Sequence, residues 1–153
     1  HDLGKIGTPE SILKKESRLT DEEFETMKRH AEDGYQIIKN IKRLQERGIT
    51  EMVRHHHERI DGRGYPHGLK GDQIPLGAKI LAVSDAFDAM TSNRSYRYAV
   101  GFNEAFERLK EASGSHFDPD LIALLDDVKW AWHTIYKEAN DEFEEFVRLT
   151  DLL

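Results

Sequence analysis

His55-His56-His57-Glu58-Arg59-Ile60-Asp61-Gly62-Arg63-Gly64-Tyr65-Pro66 sets three adjacent imidazoles directly before a glycine-punctuated loop. Successive side chains on a helix diverge by about 100°, so neighbouring histidines converge most easily where a helix is ending. Gly62 and Gly64 place such an end close by. The stretch therefore predicts a short helix over 49–57 and a loop over 58–75, punctuated further by Pro66, Gly68 and Gly71. Three histidines exceed what a solvated surface helix needs, and imidazole is a transition-metal ligand. A zincin site is excluded, because His57-Glu58-Arg59-Ile60-Asp61 carries aspartate where the second histidine should stand. A P-loop is excluded too, since no Gly-Lys-Ser or Gly-Lys-Thr follows the glycines.

Outward from this stretch the signals are helical on both sides. No segment sustains the period-2 alternation of a half-buried strand, so the expected class is all-α, a helical bundle. Residues 1–6 read as a helix end stopped by Gly7 and Pro9, followed by a loop to Leu19. Thr20 with Glu23 has capping-box spacing, with Asp21 and Glu22 in the first turn. Phe24, Met27, Tyr35, Ile38, Ile41 and Leu44 then carry apolar surface at helical spacing, with Gly34 an expected interruption and Gly48 the stop. Residues 76–92 predict a core helix, since Ile80, Leu81, Val83, Ala86, Phe87 and Met90 cover more than one face. A further amphipathic helix is expected over 103–112, and Asp118-Pro119 supplies an N-cap with proline at the first position of the last helix. Beyond Val128 the chain turns acidic and aromatic, through Trp130, Trp132, Tyr136, Phe143 and Phe146, as a coiled-coil arm or a packed hairpin would. The expected division is a main domain over 1–127 and a helical extension over 128–153.

Composition limits what such a chain does. At 153 residues it suits one compact core without disulfides, and it has no cysteine, which fits a reducing, cytoplasmic compartment. No apolar run approaches the roughly 20 residues that span a bilayer. A net charge of -7 opposes binding to a nucleic-acid polymer, which needs a basic face, and leaves room for a small anion held by local arginines. The chain lacks an initiator methionine and its first two residues already look functional, so we expect a fragment of a longer chain.

The chemistry-bearing residues are few. His1 and Asp2 lie four and three residues before Lys5, so the three can line one wall of a helix-borne pocket. An aspartate there bridges two metal ions while a lysine neutralises a phosphate oxygen. On the pair alone, an exposed polar helix end is the plainer reading. His30 by itself is more often surface or core than ligand. Asp85 and Asp88 share a face of an otherwise apolar helix, where carboxylates need a metal, a cation or a cap. Arg94 and Arg97 follow in an irregular stretch and suit bidentate phosphate binding, or a salt bridge to Asp88. His67, His116 and His133 have no ligand-spaced neighbours and read as surface or packing residues; His55 reads as an accessory ligand or as facing away. Together these residues predict a metal-dependent hydrolase with a two-metal centre.

The ordered set His1-Asp2-x-x-Lys5, His30, His56-His57-Glu58-x-x-Asp61-Gly62-x-Gly64-Tyr65-Pro66, Asp85-x-x-Asp88-Ala89 and Arg94-x-x-Arg97 resembles the HD-GYP family. The likeness runs from His1 through the His116-Phe117-Asp118-Pro119 segment. It implies an HD-superfamily bundle that hydrolyses cyclic di-GMP to the linear dinucleotide or GMP with two or three iron or manganese ions. By similarity Asp2 bridges two metals, His1 and Asp85 serve one of them, and His30, His56 and His57 serve the other. Lys5 touches the scissile phosphate, and Arg94 and Arg97 hold the nucleotide's phosphates. Asp88 supports the site, and Gly64, Tyr65 and Pro66 border the substrate. Ala31 replaces the family's usual proline, Ile60 a common aromatic, Ser84 an alanine and Ser95 a proline; none of these removes a ligand. The family also draws a histidine, and in trinuclear members a glutamate, from a helix upstream of the His-Asp pair. The resemblance further implies an upstream sensor or receiver domain, and the aromatic tail offers a face for a homodimer. The competing reading is a catalytically weak module for nucleotide binding or protein interaction, with the glycine-rich loop and acidic tail as docking surfaces; a third keeps the metals and changes the nucleotide.

Overall fold

The computed structural model describes residues 1–92 and 99–150, with side chains as far as Asn140. Among the described residues there are helices, turns and one isolated bridge between Ser113 and Phe117, and no strand, so the all-α expectation holds. A 3-10 helix over Asp2–Gly7 leads to α1 (Glu10–Leu13), α2 (Asp21–Ile38), α3 (Lys42–Gln45) and α4 (Ile49–His55). After the glycine-rich loop come α5 (Leu76–Thr91), α6 (Phe102–Glu111), α7 (Pro119–Ala123) and α8 (Leu125–Thr150).

Local sequence explains the starts of these helices. At α2 both halves of the capping box form: Glu23 N–H donates to Thr20 Oγ1 at 3.2 Å, and Thr20 N–H to Glu23 Oε2 at 2.7 Å. At α7 the Asp118 carboxylate accepts from Asp120 N–H at 2.9 Å, with Pro119 in the first position. Other boundaries differ from expectation. The first element is a 3-10 turn, and the segment read as loop after Pro9 contains α1. Gly34 does not interrupt α2. A Cβ at Gly34 would stand 3.1 Å from Val53 Cγ1 and 3.3 Å from Gly4 N, so the glycine serves close packing against α4 and the opening turn. The helix ends instead at Ile38, and Ile41 is left half exposed.

The main apolar cluster joins Val83 and Phe87 of α5, Phe102, Ala105, Phe106 and Leu109 of α6, and Phe117, Ile122 and Leu125. Phe106 and Leu109 are fully buried, each stabilising the fold by about 1.5–3 kcal/mol. Helix α5 is not buried all round as expected: Leu76 and Ile80 are exposed, while Ala78, Val83 and Phe87 are buried and Ala82, Ala86 and Met90 pack against the cluster beside them. The C-terminal segment is neither a continuation of α7 nor a hairpin. It is one helix, α8, unbroken past Val128, whose Trp132 packs 4.6 Å from Phe87 while Trp130 stays exposed. No helix among the described residues is long and apolar enough to cross a membrane.

Candidate metal centre

Four elements deliver donors to one place. The 3-10 turn brings His1, Asp2 and Lys5, α2 brings His30, the end of α4 brings His56 and His57, and α5 brings Asp85. The turn presses onto α2 because residue 4 is glycine: a Cβ there would run into the His30 carbonyl oxygen. Helix α4 stops at His55, two residues before the expected end, and the His56 and His57 rings then lie 4.0 Å apart by centroid.

The donor atoms are arranged for a cation. His30 Nδ1 lies 2.6 Å from Met27 O, and His56 Nδ1 lies 2.6 Å from Val53 O. A carbonyl oxygen only accepts, so each Nδ1 carries the proton and each Nε2 carries a lone pair. Those two Nε2 atoms face each other at 3.3 Å, in a site where both residues are 1% exposed. Two lone pairs so placed repel unless a cation sits between them, and ligand atoms about 2.1 Å from one ion stand roughly 3.0–3.4 Å apart. Asp2 adds a second sign: its Oδ1 is buried with no hydrogen-bond partner, 3.5 Å from His30 Nε2. Its Oδ2 accepts from Lys5 Nζ at 2.5 Å. His1 Nε2 is 3.3 Å from Asp85 Oδ1 and 3.6 Å from Asp2 Oδ2. Two ligand groups result, His30 with His56 and His57, and His1 with Asp2 and His56, so His56 belongs to both. The residues fit divalent metal.

Electrostatics keep the ligands in their binding forms. Burial alone would raise the Asp2 carboxyl, but the hydrogen bond and charge of Lys5, helped by His30 and His56, hold it below the ordinary value. Burial lowers His56, against the bond to Val53. Burial and the neighbouring His56 and His30 lower His57 to about 3. Both imidazoles are thus neutral near pH 7, as metal ligation requires.

The glycine-rich loop walls the centre. Tyr65 stacks on His57 at 4.7 Å and 30°, and burial raises its hydroxyl above the usual phenol range. The loop is anchored by Glu58, whose buried carboxylate accepts from His67 N–H at 2.7 Å and Leu69 N–H at 3.0 Å. Gly64 is required by contact, since a Cβ there would meet Arg59 N, Glu58 Cα and His57 O. Arg59 clamps Asp61 through two nitrogens, at 3.0 and 2.6 Å.

Of the residues singled out from sequence, His1, Asp2, Lys5, His30, His56, His57, Asp85 and Tyr65 gather here, with Gly64 behind them. Pro66 is exposed. Asp88 was expected in a buried setting, but it is exposed and takes a bond from Ser92 Oγ at 3.3 Å. Arg94 and Arg97 lie outside the described residues. His116 and His133 pack on Phe117 and Phe102, as read. His67 is different: with His55 and Glu58 it forms a third group of ligand-spaced donors. Linear spacing holds no signal for it, because the loop's return onto Glu58 makes the contact.

A family model described as HD domain matches residues 1–121. A cyclic di-GMP phosphodiesterase of Thermotoga maritima is 39% identical over 142 residues, covering 93% of this chain and 39% of that protein. The cyclic di-GMP phosphodiesterase response regulator RpfG of Xanthomonas campestris pv. campestris is 44% identical over 126 residues, covering 82% of this chain and 33% of that protein. The 3'3'-cGAMP-specific phosphodiesterase 2 of Vibrio cholerae is 40% identical over 125 residues, covering 82% and 24%. The chain thus spans between 24% and 39% of these relatives' lengths. Among solved structures, Bd1817, a HDG"Y"P protein from Bdellovibrio bacteriovorus, shares the fold with a TM-score of 0.62 at 21% identity, over 84% of this chain and 40% of that one. This chain belongs to the HD-domain family and, within it, to the HD-GYP group.

Proposed function

We propose that the chain is the catalytic domain of a metal-dependent phosphodiesterase acting on cyclic di-GMP. One observation carries the reading: Asp2, with one oxygen on Lys5 and the other buried without a partner, stands among the Nε2 atoms of His1 and His30. HD domains bind divalent metal, and His1, Asp2, His30, His56, His57 and Asp85 would hold it here as two or three ions, with iron or manganese suited to this mixed nitrogen and carboxylate set. When bound, such ions supply positive charge to the phosphoryl oxygens and acidify water for attack. The chain's own residues do the rest. Asp2 holds Lys5 at the edge of the centre, where the ammonium neutralises charge gathering on a non-bridging phosphate oxygen. Tyr65, packed on His57, covers one side of the site against bulk water. Arg94 and Arg97 would grip the dinucleotide's phosphates, and Asp88, Gly64 and Pro66 would border it.

The substrate class rests on the relatives named as cyclic di-GMP phosphodiesterases. A second substrate, 3'3'-cGAMP, is favoured by the 40% identical relative named for it. The test is a side-by-side assay of cyclic di-GMP, 3'3'-cGAMP and linear dinucleotides, on protein loaded with iron or manganese. Hydrolysis of cyclic di-GMP that falls at least 100-fold in Lys5→Met while metal content holds is the expected result. Metal-loaded chain that binds but hydrolyses none of them would overturn the reading in favour of a nucleotide-binding module.

A further inference from the structure

His55, the last residue of α4, turns its ring away from the His56 and His57 pair toward Glu51, Glu58 and His67. Its Nε2 lies 3.2 Å from Glu51 Oε2. A carboxylate only accepts, so Nε2 carries the proton and Nδ1 is left with a lone pair. That Nδ1 is buried without a hydrogen-bond partner, and the atom it faces, Glu58 Oε1 at 3.8 Å, is a second acceptor. The Glu58 side chain is fully buried, and among the described residues no lysine or arginine pairs with it. His67 completes the group from the exposed side, its ring centroid 5.3 Å from that of His55. One donor atom from each of the three residues falls within 4.8 Å of the others. Opposed buried acceptors with nothing donating between them are costly, and a cation relieves them.

We propose that His55 Nδ1, Glu58 Oε1 and His67 form a second divalent-metal site, suited to zinc-class ions, that ties the end of α4 to the glycine-rich loop. Two imidazoles and one carboxylate are a zinc-type donor set, with water filling the fourth position. The 3.8 Å separation exceeds the roughly 3.0–3.5 Å between ligands on one such ion by a few tenths of an ångström, and the surface position of His67 lets its side chain supply the closure and the ion enter from solvent. The site shares no residue with the His1, Asp2, His30, His56 and His57 centre and does not depend on the phosphodiesterase reading. Its ion would fix the loop that lays Tyr65 on His57.

The experiment is equilibrium dialysis of the folded chain against zinc, followed by zinc analysis per chain, for the unaltered protein and His67→Asn. Loss of one equivalent in the variant, with its circular dichroism unchanged, is expected; equal zinc counts overturn the site. A measurement on the unaltered chain covers the case of a variant that fails to fold. Ring-nitrogen NMR should show His55 Nδ1 and a His67 nitrogen shifting to metal-bound positions as zinc is added. Both rings staying unchanged while zinc binds elsewhere would equally overturn it.

Discussion

Replacing Glu58 with glutamine isolates what the loop anchor contributes. The native carboxylate accepts two backbone N–H bonds, at 2.7 Å from His67 and 3.0 Å from Leu69, with the side chain out of contact with water. Glutamine is the same size but offers one acceptor oxygen and one NH2 donor, so one of the two N–H groups must face another donor. Bonds to a charged acceptor contribute about 1.5–3 kcal/mol each, and a neutral one about 1 kcal/mol. Losing one bond of about 2 kcal/mol and weakening the other by about 1 kcal/mol puts the destabilisation near 3 kcal/mol. For a chain of this size that lowers the melting temperature by about 6–12 °C. The assay is thermal unfolding of chelator-treated protein, read beside hydrogen exchange at the two amides. A melting temperature within about 2 °C of the parent, with the His67 and Leu69 amides still protected, would refute the anchoring argument.

Other perturbations separate the remaining parts of the site. His56→Ala removes a donor common to both ligand groups, so manganese or iron content should fall further than in His57→Ala, which leaves His1 and Asp2 with His56; elemental analysis giving the same retention in both would contradict the shared position. Gly64→Ala drives a Cβ into the backbone of 57–59 and should cost about 1–3 kcal/mol in urea unfolding; an unchanged midpoint would show that the loop yields. The bonds from Arg59 and from Arg63 N–H, followed by the arginine charges, hold Asp61 down to about 2, below its ordinary 3.8. A depressed carboxylate stabilises the fold fully above the unfolded value and loses that contribution as pH falls from about 4 through about 2. The urea-midpoint gap between the parent and Asp61→Asn should therefore be present at pH 7 and shrink on acidification to pH 2.5, and a gap that widens would reverse the assignment.

Much of the arrangement was legible because it is written in local chemistry. The Thr20 and Glu23 cap, the Asp118-Pro119 start and the stop after the histidine triplet each depend on backbone groups a few residues away, and each formed near its predicted place. Errors arose where a residue answers to something distant. Gly34 looked like a break by propensity, yet α4 and the opening turn approach so closely there that a small residue is required. Asp88 looked buried because its helix is apolar, while the packing of α5 leaves that position outward. The acidic, aromatic tail suits an arm or a hairpin equally by composition, and the packing of Trp132 on Phe87 along one unbroken helix decides between them.

The candidate site divides along the same line. From sequence alone come the helical class, the ordered ligand types and the family, because each is carried by residue identity and short-range spacing. Only the tertiary structure decides that His30 and His56 turn their Nε2 lone pairs on each other, that Asp2 keeps an oxygen without a partner, and that His67 joins His55 and Glu58. Those facts depend on where four separate elements come to rest, and that is set by core packing and loop closure summed over the whole chain.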